Sequence, residues 1–116
     1  MSKEQLYIFD TTLRDGAQTQ GVDFSIDDKE KISSALDKLG VDYVEGGWPG
    51  ANPTDTEFFN KDHNFKSTKL TAFGMTKKSE HSAENDPMLS SLINSKSTSV
   101  CLFGKSWDFQ VDVALG

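Results

Sequence analysis

Four short apolar runs punctuate the chain at residues 6–9, 42–45, 69–73 and 99–103, each rich in aromatic or β-branched side chains and each followed at once by glycine or aspartate. They read as strands, and they recur about every 30 residues, the length of one strand-plus-crossover unit. Between the first two the period changes. Ile32, Ala35, Leu36 and Leu39 fall at i, i+3, i+4 and i+7, one face of a helix. Ser25-Ile26-Asp27-Asp28 has the S-x-x-D form of a capping box, and Gly40 supplies a left-handed residue to end the helix. Asp28, Lys29, Lys31 and Lys38 are expected on its solvent face. Pro53 and Thr54 open a second helix running through residues 55–59. A polar run over 76–85 precedes Pro87, which starts a third helix with Met88, Leu89, Leu92 and Ile93 on its apolar side; residues 94–97 close it. Beyond a polar loop at 104–108, Phe109, Val111, Val113, Ala114 and Leu115 begin a further element.

Strand alternating with helix implies an α/β fold built on a parallel sheet. Four units make an open sheet with two bare edges, whereas an eight-unit barrel needs roughly 250 residues. Residues 1–116 are therefore read as one domain, the first half of a (β/α)8 barrel and the N-terminal part of a truncated catalytic domain. A small doubly wound domain is the alternative, and the lack of G-x-G-x-x-G after the first strand removes its dinucleotide reading. Taken alone, half a barrel leaves Val100, Leu102 and other strand-face residues without the layers they pack against, so self-association is expected.

Composition narrows the partners. The formal charge of −6, with no basic run longer than Lys77-Lys78, argues against nucleic acid or an anionic membrane surface. No signal peptide or spanning stretch is visible, so a cytoplasmic protein is expected. The single cysteine, Cys101, lies inside the fourth strand and is read as a small buried core residue. His63 and His81 stand singly in polar stretches and are read as solvated loop residues.

The chemistry gathers at the strand ends, which in a barrel converge on one mouth. The first gives Asp10-Thr11-Thr12-Leu13-Arg14-Asp15-Gly16-Ala17-Gln18. Arg14 can clamp a carboxylate with its forked donors, and Asp15 can hold a divalent cation as a hard oxygen ligand; a loop salt bridge between the two is the plainer reading. The second gives Glu45-Gly46-Gly47-Trp48-Pro49, whose glycines allow a sharp turn and close approach to a ligand. Gly74 and Gly104 each follow a strand-final Phe, which reads as one tight turn used twice.

D-T-T-L-R-D-G-A-Q-T-Q-G and E-G-G-W-P-G-A-N-P-T-D, with the later F-G-M-T-K and F-G-K-S-W-D, resemble the isopropylmalate, homocitrate and citramalate synthase family, and within it the N-terminal catalytic region of the citramalate-forming branch. The resemblance covers nearly the whole chain. It implies an acyltransferase that condenses acetyl-CoA with pyruvate in a Claisen-type reaction on the way to isoleucine, working with a divalent metal (Mn, Mg or Zn) as a homodimer when full length. It further implies Arg14 and Glu45 as catalytic residues, Arg14, Thr12 and Gln18 as substrate-binding residues, and Asp15 as a metal ligand. For Glu45 two roles stay open, the base that takes the acetyl proton or the partner that orients Arg14. Other readings are a hydroxy-acyl-CoA lyase or isopropylmalate-type synthase of the same family, or a non-catalytic binding domain. The family's H-x-H metal pair is missing from residues 1–116, and Gln110 stands where a family histidine is expected, so the isolated chain is expected to be inactive.

Overall fold

The computed structural model describes residues 2–116. Strands β1 (Phe9–Asp10), β2 (Tyr43–Gly47), β3 (Lys69–Met75) and β4 (Ser99–Phe103) alternate with helices α1 (Ile26–Leu39), α2 (Pro53–Asn60) and α3 (Pro87–Asn94). After β4 comes a short helix, α4 (Asp108–Gln110), which widens into a π turn over Val111–Leu115.

Helices α1, α2 and α3 each start where the sequence supplies a side-chain acceptor for the bare N–H groups. At α1 the hydroxyl of Ser25 accepts from the Asp28 N–H and the Asp28 carboxylate accepts from the Ser25 N–H, closing the expected capping box. At the other end Gly40 adopts φ +90°, a left-handed conformation that costs a side-chain-bearing residue more. Asn52 caps α2, and Asp86 caps α3 through the Met88 and Leu89 N–H groups; each is followed by a proline in the first turn, where no N–H is required.

All strand pairs are parallel and the spatial order is β1-β2-β3-β4, the order of the chain. Val44, Leu70, Ala72 and Leu92 share one buried cluster with Leu13, Val41, Phe58 and Phe59. Ile32 and Leu36 of α1 and Leu89 of α3 pack on it, so the three helices lie on a single face. That excludes the doubly wound alternative, which needs helices on both faces, and is the arrangement of the first half of a (β/α)8 barrel. Two glycines make this packing possible. A Cβ on Gly46 would fall 2.8 Å from the Phe58 ring and 2.9 Å from Leu70, and one on Gly74 would collide with Leu92. The other sheet face carries Glu45, Thr71 and Ser99 in one register row, with the Thr71 and Ser99 hydroxyls 2.5 Å apart. No helix among the described residues is long and apolar enough to cross a membrane.

Several expectations are corrected. The first strand is shorter than 6–9: only Phe9–Asp10 join the ladder, and Leu6, Tyr7 and Ile8 are exposed. Ile8 still bonds the next strand's approach, donating to the Asp42 carboxylate and accepting from the Asp42 and Tyr43 N–H groups. The buried face of α1 is also rotated: Lys29 and Ser33 are buried while Ala35 and Leu39 are exposed. Lys29 is thus not on the solvent face. Gly74 lies inside β3, not beyond it, and is required by Leu92; Gly104 alone follows its strand. Cys101 is half-buried, paired with Phe73 on the face away from the core. His63 is not a solvated loop residue: its Nε2 lies 2.7 Å from the Phe58 carbonyl and its ring stacks on Phe65. His81 turns Nδ1 toward the Asp86 carboxylate at 3.6 Å. Val100 and Leu102 are about half exposed as expected, and their pairing with Ala72 and Gly74 puts them on the helix-covered side of the sheet.

Candidate active site

The loop after β1 is drawn into a tight turn by the Thr11 carbonyl, which accepts from the N–H groups of Arg14, Asp15 and Gly16. Leu13 is fully buried in the core and anchors that turn. Its neighbour Arg14 crosses to the uncovered face of the sheet, where its guanidinium lies 4.2 Å over the Phe73 ring and its Nε donates to Glu45 Oε1. The Arg14 side chain is 22% exposed and that of Glu45 only 1%, so this is a charge-assisted bond in a largely water-free setting. The Nη edge of the fork meets the exposed Asp15 carboxylate, 3.5 Å from Nη1, which is the loop salt bridge of the plainer reading.

Trp48 packs edge-on against Phe73 with ring centroids 5.3 Å apart. Arg14, Gln18, Trp48 and Asn52 line a cavity of about 460 Å³ between the first two strand-end loops. Trp48 also borders a second cavity of about 670 Å³ with Met75, Lys77, Lys78 and Lys105. Its indole Nε1 is buried with no hydrogen-bond partner among the described residues. Cys101 faces the same region. Burial pushes its thiol up, the negative charge of Glu45 adds to this, and Arg14 opposes it.

Of the residues expected to act, Arg14 and Glu45 are bonded, Asp15 stands beside Arg14, and Gln18 lines the same cavity in a 3-10 turn over Gly16–Gln18. Thr12 is placed differently: its N–H and hydroxyl both donate to the Asp10 carboxylate, at 2.9 and 3.1 Å, so its hydroxyl proton is already committed. A divalent cation is not accommodated by these residues alone. Asp15 is a single carboxylate with a side chain 64% exposed, and no group of three His, Cys, Asp or Glu among the described residues is arranged to hold a metal ion.

Two residues that border the cavity were absent from the sequence reading of the site. Lys29 Nζ and Asp55 Oδ1 form an ion pair of 2.6 Å with side chains 3% and 11% exposed. The signal for Lys29 is its phase, three and four positions before Ile32 and Ser33 on the inward face of α1. For Asp55 it is Gly47, where φ is +144° and any Cβ would fall 2.5 to 2.7 Å from the Asp55 carboxylate atoms.

The HMGL-like family model matches residues 5–106. An (R)-citramalate synthase of Aquifex aeolicus is 52% identical over 114 residues, 97% of this chain and 22% of that protein. One from Sulfolobus acidocaldarius is 48% identical over 113 residues, 96% of this chain and 22% of its own length. A 2-isopropylmalate synthase of Microcystis aeruginosa is 48% identical over 60 residues, 52% of this chain and 11% of that protein. The chain thus spans about a fifth of the length of its citramalate synthase relatives. With strand-end motifs, single-faced helices and a family match running through all four strands, the chain belongs to the HMGL-like family.

Proposed function

We propose that residues 1–116 supply the keto-acid-binding side of the mouth of an acyltransferase that condenses acetyl-CoA with pyruvate, giving (R)-citramalate and CoA. The observation that carries this is the Arg14–Glu45 pair. A buried carboxylate holds one donor of a guanidinium already stacked on Phe73, and leaves the Nη edge, shared only with the exposed Asp15 carboxylate, beside a cavity of small-molecule size. A guanidinium so held is preorganised to fork onto the carboxylate of a keto acid without the entropy of fixing its own side chain. The relatives named (R)-citramalate synthase, matched over nearly the whole chain, favour pyruvate over a branched keto acid.

In the reaction a proton leaves the acetyl methyl group, the resulting carbon bonds the ketone carbon of pyruvate, and water then cleaves the thioester to release CoA. Of the two roles open to Glu45, its burial and its bond to Arg14 support orientation of the guanidinium. Gln18 would reach substrate across the cavity; Thr12, tied to Asp10, would act by shaping the loop. A divalent metal of the kind the family resemblance implies would take Asp15 as one oxygen ligand and its remaining ligands from outside residues 1–116, polarising the ketone when bound. The complete enzyme is expected to act as a cytoplasmic homodimer in isoleucine synthesis, and the isolated chain to show no turnover.

The test is a transplant. Residues 1–116 replace the matching segment of the Aquifex enzyme, and CoA release is followed with pyruvate and with a branched keto acid. Release with pyruvate, lost by at least about a hundredfold in Arg14→Ala, is the expected result. A folded chimera that prefers the branched acid overturns the substrate assignment, and one that keeps turnover in Arg14→Ala overturns the site.

A further inference from the structure

We propose that the buried Lys29–Asp55 pair is the positioning device of this site, fixing the backbone on both sides of the Arg14–Glu45 pair and thereby the direction in which the guanidinium's Nη edge points. An ammonium group has three hydrogens. Those of Lys29 have three acceptors on three different segments: the Leu13 carbonyl at 2.9 Å, the Gly46 carbonyl at 2.8 Å and Asp55 Oδ1 at 2.6 Å. Leu13 immediately precedes Arg14, and Gly46 immediately follows Glu45. One charge on α1 therefore ties the peptide before the guanidinium to the peptide after its carboxylate partner.

Asp55 extends the tie to the second loop. Its Oδ2 accepts from the Trp48 N–H at 2.9 Å and from Asn52 Nδ2 at 3.0 Å, so the carboxylate that neutralises Lys29 also sets the turn carrying Trp48. The sequence makes room for it by leaving Gly47 without a side chain. Other lysine–carboxylate pairs, Lys31–Asp27, Lys61–Glu30 and Lys96–Asp62, lie on the surface with side chains at least 37% exposed. A buried pair is costlier to desolvate than a methionine of similar shape, and its best-attested use is to select one arrangement over near alternatives. Here the arrangement selected is the relative placement of two strand-end loops.

The functional meaning rests on Arg14 being the substrate-binding group; the geometry does not, and the two fail separately because the test reads no turnover. Arg14 is the only arginine in the sequence, so a 15N-labelled sample of the 116-residue chain gives one arginine Nε–H resonance. In the double variant Lys29→Met/Asp55→Asn, which leaves no unpaired buried charge, that resonance should move and its exchange with solvent should speed by about tenfold while the β2 and β3 amides stay protected. In the surface control Lys31→Met/Asp27→Asn it should not change. An unchanged Nε–H in a double variant whose β2 and β3 amides remain protected overturns the proposal. If the double variant does not fold, Asp55→Asn alone keeps both carbonyl bonds of Lys29 and an isosteric side chain. There about threefold faster exchange is expected, and an unaltered signal overturns the proposal equally.

Discussion

Glu45 places a carboxylate 1% exposed on the uncovered face of the sheet, and Arg14 supplies the neighbouring positive charge. Removing that charge costs more than the bond is worth, because a buried anion is left behind. Arg14→Ala should lower stability by about 3 kcal/mol in urea unfolding, and adding Glu45→Gln should restore most of it. Equal midpoints for Arg14→Ala and the exposed Lys31→Ala would contradict this. Cys101 gives a second reading of the same neighbourhood. Its thiol is raised in the folded chain, so the folded state holds that proton more tightly than the unfolded one. The contribution is complete below the unfolded thiol value of about 8.5 and is lost as pH rises through the folded value. Native Cys101 should therefore alkylate more slowly at pH 8 than the urea-unfolded chain, and Cys101→Ala should flatten the alkaline loss of Tm. The strand-end position of Arg14 and Asp15 was legible in the sequence because they closely follow the first apolar run, and the salt bridge between them, the plainer reading there, is present at 3.5 Å. Lys29 was not, since lysine is read as solvated by default and only its phase with Ile32 and Ser33 says otherwise.

Helix and strand positions were legible for a different reason: cap residues and apolar runs act locally. Ser25, Asn52 and Asp86 cap the helices that follow them, and β4 spans residues 99–103 as its composition predicts. What was not legible depends on neighbours. Only Phe9–Asp10 of the first run find partners on β2, and the packing partners of α1 decide that Ser33 is buried and Leu39 is not. The seat of α3 on β3 illustrates this dependence. Gly74→Ala should cost about 1–3 kcal/mol by forcing Leu92 aside, and Leu92→Ala about 2–5 kcal/mol by opening a cavity. In a double-mutant cycle the two together should cost less than their sum, whereas strict additivity would show that they do not touch. Asp37 links α1 to the approach of β3. Its carboxylate accepts from the N–H groups of Lys66, Ser67 and Thr68, and these bonds hold it well below the usual carboxylate range. A lowered carboxyl contributes stability above its unfolded value near 3.9 that is lost as pH falls through the folded value. Asp37→Asn should accordingly lower Tm at neutral pH and flatten its decline in acid; an unchanged acid limb would rule that linkage out.

Over the whole molecule, apolar surface is unevenly covered. Val100 and Leu102 on β4, Leu6 and Ile8 before β1, and Phe109, Val113 and Leu115 after β4 are all exposed, and the sheet has two open edges. Such surfaces associate. Sedimentation velocity at tens of micromolar should show species larger than the 12.8 kDa monomer, reduced by Val100→Lys with Leu102→Lys; a monomer at every concentration would be the contrary result. The parallel order of the strands also gives the molecule two unlike poles. At one, Arg14, Glu45 and Trp48 gather around Phe73, where the proposed binding site lies. At the other, the Asp37 clamp on residues 66–68 serves only to hold α1 to β3. On the reading proposed above, the first pole bears on what is bound, while the second bears on the scaffold alone.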